Sequence, residues 1–133
     1  MGAFDRLVLF PEVSGVVLKD GKPVVGAELV QKAVWSLRED KNPVQRTITG
    51  ADGAFRFPAI QRAAWLRRLI ASQPMVHQTI TIRDEGVEYL AWMHGKDSYD
   101  PNTELDGKRL NLMCELTRSP EMEGTHYGIG MPC

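Results

Sequence analysis

Two stretches of this chain constrain its fold more than any other feature: SGVVLKDGKPVVGAELV at residues 14–30 and VQRTITGADGAFRFPAI at residues 44–60. Each holds short apolar runs interrupted by residues suited to a tight turn. In the first, Val13, Val16 and Val17 are β-branched, Asp20 and Gly21 supply a positive-φ turn, and Pro23, lacking a donor, suits only the start of a strand. Gly26 and Ala27 lead into AELVQKAVW, where Ala27, Leu29, Ala33 and Trp35 alternate on one side and Gln31 is the polar exception. Charged LREDKNP interrupts the pattern. In the second stretch Gly50, Asp52 and Gly53 form the turn, Thr47 and Thr49 precede it, and Phe55 and Phe57 follow on a common face. Both stretches therefore read as β-hairpins, and Gly53 is expected at positive φ.

The second half changes period once. In QRAAWLRRLIASQP, Ala63, Leu66, Leu69 and Ile70 recur at helical spacing and Pro74 stands beyond the end, which predicts one short inserted helix near 61–71. The two-residue period then returns. Val76, Ile80 and Ile82 oppose Thr79 and Thr81, RDEG turns the chain, VEYLAWMH comes back as a strand, and Leu110, Leu112, Cys114 and Leu116 share one face of another. A chain of 133 residues that is 43% hydrophobic is one domain with a real core. The expectation is a mainly β fold: an antiparallel immunoglobulin-like or transthyretin-like sandwich of about seven strands with the one helix. Residues 1–12 are a lead-in strand, 13–117 the sandwich and 118–133 a C-terminal tail.

Sixteen Lys and Arg against seventeen Asp and Glu leave a net charge of -1, so bulk charge gives no reason to expect nucleic acid or an anionic membrane. The first apolar run, at 7–10, is stopped by Pro11; it is too short for a signal h-region or a membrane span. A cytoplasmic protein is expected. Arg6 occupies the position where an N-myristoylation signal needs Ser or Thr. Cys114 and Cys133 are too few for a disulfide scaffold, and Cys114, on an apolar strand face, reads as a small core residue.

The Gly15 strand, the Asp20-Gly21-Lys22-Pro23 turn, Gly26-Ala27, and the pattern of Thr49, Asp52, Gly53 and Phe55 resemble the carboxypeptidase regulatory-like, transthyretin-type β-sandwich over roughly residues 13–60. That resemblance implies a folding, adhesive or accessory module, mostly without catalysis. With the inserted helix and the late YLAW and LNLMC segments, the chain also resembles a small bacterial family of single-domain sandwiches associated with contact-dependent toxins and type VI secretion. This resemblance implies a partner protein, and an immunity or adaptor role toward a toxin effector.

The enzymatic and metal-binding patterns closest to these residues are incomplete in the sequence. The tail HYGIGMPC lacks the Tyr-Arg-Gly-Ser ending expected of a transthyretin-like hydrolase, and no His-x-His pair is present for an intradiol dioxygenase iron. His77, His94, His126, Tyr89, Tyr99 and Tyr127 match no metal-ligand spacing and read as surface or edge-strand side chains. Asp97, Asp100, Glu104 and Asp106 gather oxygen ligands, but the midway Gly of a calcium loop is missing and Pro101 intervenes, so a solvated acidic loop is expected. No Gly-x-Ser-x-Gly elbow, phosphate loop or paired-Cys motif appears in the sequence. No cofactor and no catalysis are expected. Partner binding is assigned first to Trp65, Arg67 and Arg68 on the predicted helix, because aromatic and Arg side chains dominate interface energetics. Core burial of Trp65 is the alternative. The second candidate is the acidic loop at 96–108, with Asp97, Tyr99 and Asp100. The expected function is noncatalytic protein binding; an accessory carbohydrate-binding or envelope-assembly sandwich is the alternative.

Overall fold

The fold is seen in a computed structural model, in which residues 6–34, 42–63, 76–96 and 109–132 are described. These residues form thirteen strands and, among themselves, no helix. The strands are β1 (Arg6–Phe10), β2 (Val13–Lys19), β3 (Lys22–Pro23), β4 (Glu28–Val34), β5 (Val44–Ile48), β6 (Ala54–Phe57), β7 (Ile60–Ala63), β8 (Val76–Asp84), β9 (Val87–Lys96), β10 (Leu110–Glu115), β11 (Glu121–Glu123), β12 (His126–Gly128) and β13 (Gly130–Pro132). A six-stranded sheet runs β11-β12-β9-β8-β4-β5, a five-stranded sheet runs β13-β10-β2-β3 with β6 also on β2, and β1 pairs with β7. The chain is mainly β and its ladders are antiparallel, except that β10 lies parallel to β2, from Leu110 opposite Val13 to Glu115 opposite Leu18.

The two expected hairpins turn out to be corners. After the Asp20-Gly21 turn only Lys22 and Pro23 pair back onto β2; the chain then leaves at Gly26, whose φ is +79, and continues as β4 in the other sheet. The second stretch repeats the move, since β5 pairs with β4 whereas β6 pairs with β2. Thr49 joins the two crossings. Its hydroxyl donates to the Val24 carbonyl (2.6 Å) and accepts from Ala27 N (2.9 Å), while its own N–H donates to the Ala27 carbonyl (2.9 Å). Alternation within a strand is the same whether its neighbour follows in sequence or comes from elsewhere, so the period alone does not assign a strand to a sheet. The β8–β9 pair is a true hairpin, closed by Glu85 and Gly86 at φ +50 and +77, the positive-φ pair that matches strand twist.

One continuous core joins the sheets. Val13 and Val17 of β2, Phe55 and Phe57 of β6, and Leu110, Leu112 and Cys114 of β10 meet Leu29, Ala33, Ile80, Ile82 and Trp92 of the six-stranded sheet, with Leu9 and Phe10 of β1 in the same cluster. Each large side chain so buried contributes about 1.5–3 kcal/mol. Gly15 faces this core, where a Cβ would lie 2.8 Å from Cζ of Phe55, so the ring takes the place that a side chain would otherwise fill.

Two expectations about chain segments change. Gln61 and Ala63 belong to β7, paired with Val8 and Arg6 of β1, so no helix starts at 61; the rest of the predicted helix lies outside the described residues. The stretch 118–133 holds β11, β12 and β13, which join both large sheets. It is built into the fold because His126, Ile129 and the two glycines Gly128 and Gly130 are buried there.

Candidate functional site

Polar side chains line one rung of the inner face of the six-stranded sheet. Cross-strand register places Ala33, Gln78, His94, His126 and Glu123 opposite one another in turn. Gln78 and His126 are buried and His94 is nearly so. On the adjoining rung stand Gln45, Gln31, Ile80 and Trp92. Buried polar groups need partners, and most of these find one far away in sequence. Gln78 Nε2 donates to the Leu9 carbonyl (3.1 Å), tying the β1–β7 pair to the large sheet, and Gln78 Oε1 accepts from Trp92 Nε1 (3.1 Å). Gln45 Nε2 donates to Gln31 Oε1 (2.6 Å) and to the Pro58 carbonyl (3.0 Å). His94 Nδ1 donates to the Thr125 carbonyl (2.9 Å), which places the proton of the neutral ring on Nδ1.

Gln31 Nε2 is buried without a hydrogen-bond partner, and so is one atom of His126. The His126 ring stacks on Trp92 with centroids 4.3 Å apart, and its Nε2 is the buried atom without a partner. Burial holds this imidazole below the usual histidine range; His94 and Arg118 push the same way, against the Glu123 carboxylate and a backbone hydrogen bond at Gly130. The expectation that the histidines are surface or edge side chains therefore holds for the exposed His77 and is corrected for His94 and His126. Alternation was the missed signal: Trp92, His94 and Lys96 occupy every second position, and all three point inward.

The outer face of the same sheet has the opposite character. A single rung crosses all six strands: Met122, Tyr127, Met93, Thr79, Lys32 and Val44 are successive cross-strand partners. Met122 is 66% exposed, Met93 46% and Val44 47%. Beside this rung lie Val30, Thr81 and Leu90, all half-buried, and at the β5 edge Ile48 is 64% exposed. No expectation from sequence named Met93 or Met122. An exposed methionine on a strand looks like a core methionine until the sheet order shows which face is covered.

Elsewhere the charged groups serve structure. Glu115 accepts hydrogen bonds from the N–H groups of Thr117 (3.1 Å), Gly21 (2.8 Å) and Asp20 (3.0 Å) and from the Thr117 hydroxyl (2.7 Å), and these donors, Thr117 first, hold its carboxyl down to about 2. Arg118 reaches the Ile129 carbonyl (3.0 Å), Glu121 (3.3 Å) and Glu123. Arg56 holds Glu12 below the usual carboxylate range through a hydrogen bond and its charge; beside that pair an open depression of about 280 Å³ is lined by Glu12, Ser14, Gln61 and Arg109. Cys114 is buried on the apolar face where the sequence puts it. Among the described residues no group of three or more His, Cys, Asp and Glu is arranged to hold a metal ion, and no helix is long and apolar enough to cross a membrane.

The residues singled out for partner binding, Trp65, Arg67, Arg68, Asp97, Tyr99 and Asp100, lie outside the described residues. Residues 64–75 run into Val76 and residues 97–108 leave from Lys96, and Val76 and Lys96 are cross-strand partners at one end of the six-stranded sheet.

Over the described residues, sheet order and core define a mainly β domain of packed, mostly antiparallel sheets with one broad solvated face. Residues 13–119 match the domain family of unknown function DUF6795, and the chain belongs to that family. The matched region omits β1 and β11–β13, of which β1, β12 and β13 nonetheless pair with β7, β9 and β10 respectively. No curated protein matches the chain.

Proposed function

We propose that this domain is a noncatalytic protein-binding sandwich of the immunoglobulin-like or transthyretin-like kind, and that it acts as an immunity or adaptor protein toward a secreted bacterial toxin of the type VI kind. The observation that supports it most is the outer rung of Met122, Tyr127, Met93, Thr79, Lys32 and Val44. Methionine is flexible and polarizable, suits another protein's side chains, and is enriched in interface cores. The large apolar side chains exposed among the described residues are Val, Ile and Met. A sugar-binding face works by stacking on exposed aromatic rings, so this composition favours the protein partner over the accessory carbohydrate-binding alternative. The mechanism is occlusion: the domain covers the partner's working site, and affinity suffices without chemistry.

The experiment is to isolate the partner from the native cell and titrate it against two variants. Met93→Asp with Met122→Asp changes exposed side chains, so stability should stay within about 0.5 kcal/mol while binding weakens by at least about 2 kcal/mol. Replacing Trp65, Arg67 and Arg68 together by Ala probes the 64–75 stretch in the same titration. The proposal fails if no protein partner is found, or if both folded variants bind with undiminished affinity.

A further inference from the structure

The strand β5 ends the six-stranded sheet, with β4 on one side and, among the described residues, no strand on the other. Its ladder determines which backbone groups face outward. Ala33 N donates to the Pro43 carbonyl (3.2 Å) and Thr49 N to the Ala27 carbonyl (2.9 Å), in the same register that sets Leu29 opposite Thr47 and Gln31 opposite Gln45. Antiparallel ladders alternate hydrogen-bonded and non-hydrogen-bonded pairs. Thr47 and Gln45 therefore bond inward to β4, and the N–H and C=O groups of Val44, Arg46 and Ile48 point to the open edge. Among the described residues none of these three has a backbone hydrogen bond outside the strand ladders.

The same three side chains stand on the solvated outer face, and Val44 ends the exposed rung described above. Proteins usually guard such an edge with charged side chains, above all Lys, or with Pro or a bulge; here the one charge is Arg46 at the centre of β5. The VQRTI sequence of β5 contains no Lys or Pro, and its register with β4 is unbroken. The strip reads apolar, cationic, apolar. Arg46 meets Glu28 only loosely, at 3.5 Å with side chains 65% and 48% exposed, and Lys32 stands opposite Val44, so cations outnumber the carboxylate here. A second copy of β5 paired antiparallel about its centre would set Arg46 against Arg46, and like charges directly opposite are destabilising.

Resting on the protein-binding role proposed above, we infer that the β5 edge takes up an extended segment of the partner protein as an added antiparallel strand, with a carboxylate opposite Arg46 and apolar residues opposite Val44 and Ile48. The segment has the form apolar-x-Asp/Glu-x-apolar. Main-chain hydrogen bonds supply affinity, and the alternate side chains supply choice.

The test uses two blocked synthetic peptides on the full chain, one with Val-Thr-Glu-Thr-Val at its centre and one with Lys in place of Glu. Calorimetric titration should show the wild type preferring the Glu peptide by about tenfold, with amide NMR shifts at Val44, Arg46 and Ile48. Arg46→Glu should reverse that preference. Val44→Pro removes an outward donor but leaves the inward bonds of Gln45 and Thr47, so it should abolish binding of both peptides with an unchanged circular dichroism spectrum. The inference is overturned if the folded wild type binds neither peptide, if Arg46→Glu leaves the preference unchanged, or if the wild type is a dimer that Val44→Pro converts to monomer. A native partner bound equally well by Val44→Pro overturns the edge and leaves the protein-binding role. A wild type that prefers the Glu peptide yet has no protein partner in native cells keeps the edge and overturns the role.

Discussion

Replacing Gly53 by Ala is expected to destabilise the domain by about 2–4 kcal/mol, of which conformational strain accounts for about half. Gly53 sits at φ +75, and a Cβ there would lie 2.6 Å from the Val17 carbonyl oxygen and 3.2 Å from both Pro23 Cβ and Val24 N. That carbonyl is not free to retreat, because it accepts the Val24 N–H at 2.9 Å and its own residue's N–H donates to the Gly53 carbonyl at 2.8 Å. Moving it weakens a link between β2 and the corner into β4, at a net cost of about 1 kcal/mol for each hydrogen bond lost. Gly21 is the internal control. Its φ is +77 with nothing within 4 Å of the added carbon, so Gly21→Ala should carry the backbone cost alone, about 1–2 kcal/mol. Urea unfolding of both variants, followed by tryptophan fluorescence, separates strain from crowding. If Gly53→Ala loses no more stability than Gly21→Ala, the close approach of Val17 is not a real constraint; if neither loses any, the positive-φ reading of both turns is wrong.

The other predictions concern charge. Glu115 is held to about 2 in the folded state, below the usual carboxylate value of 4.5, so its stabilisation is complete above the unfolded value and is lost as the pH falls from there toward the folded one. Glu115→Gln should cost about 1–2 kcal/mol at pH 7 and flatten stability against pH below 4.5, as checked by melting temperature across that range. His126 is shifted the other way relative to its charge: burial favours the neutral ring, so its contribution is full above the usual histidine value and declines as the pH falls below it. His126→Phe keeps the stack on Trp92 and removes the unpartnered Nε2; stability at pH 7 should change by less than about 1 kcal/mol, while the acid-side decline becomes shallower. A decline of unchanged steepness would assign the acid response to other groups.

The candidate surface was poorly legible in the sequence for an identifiable reason. Trp65, Arg67 and Arg68 were chosen because aromatic and Arg side chains make strong contacts, and chemistry of that kind is visible residue by residue. Met93 and Met122 are invisible there because their exposure depends on the outer face of the six-stranded sheet having no covering layer among the described residues. The β5 edge was likewise hidden, since a strand becomes an edge only through the order of its neighbours.

Local physics was readable throughout. The two-residue period of Leu110, Leu112, Cys114 and Leu116 foretold their common burial, and the Gly53 turn needed positive φ whatever surrounded it. Tertiary structure decided what those strands would touch. The corners at Gly26 and Thr49, the parallel pairing of β2 with β10 and the inward turn of His94 and His126 each depend on partners remote in sequence, as does the bond from Gln78 to Leu9, 69 residues away. Alternation specifies which side of a strand is apolar, but a buried polar group is tolerated only where the rest of the fold supplies its hydrogen bonds, and that supply exists only once the sheets have assembled.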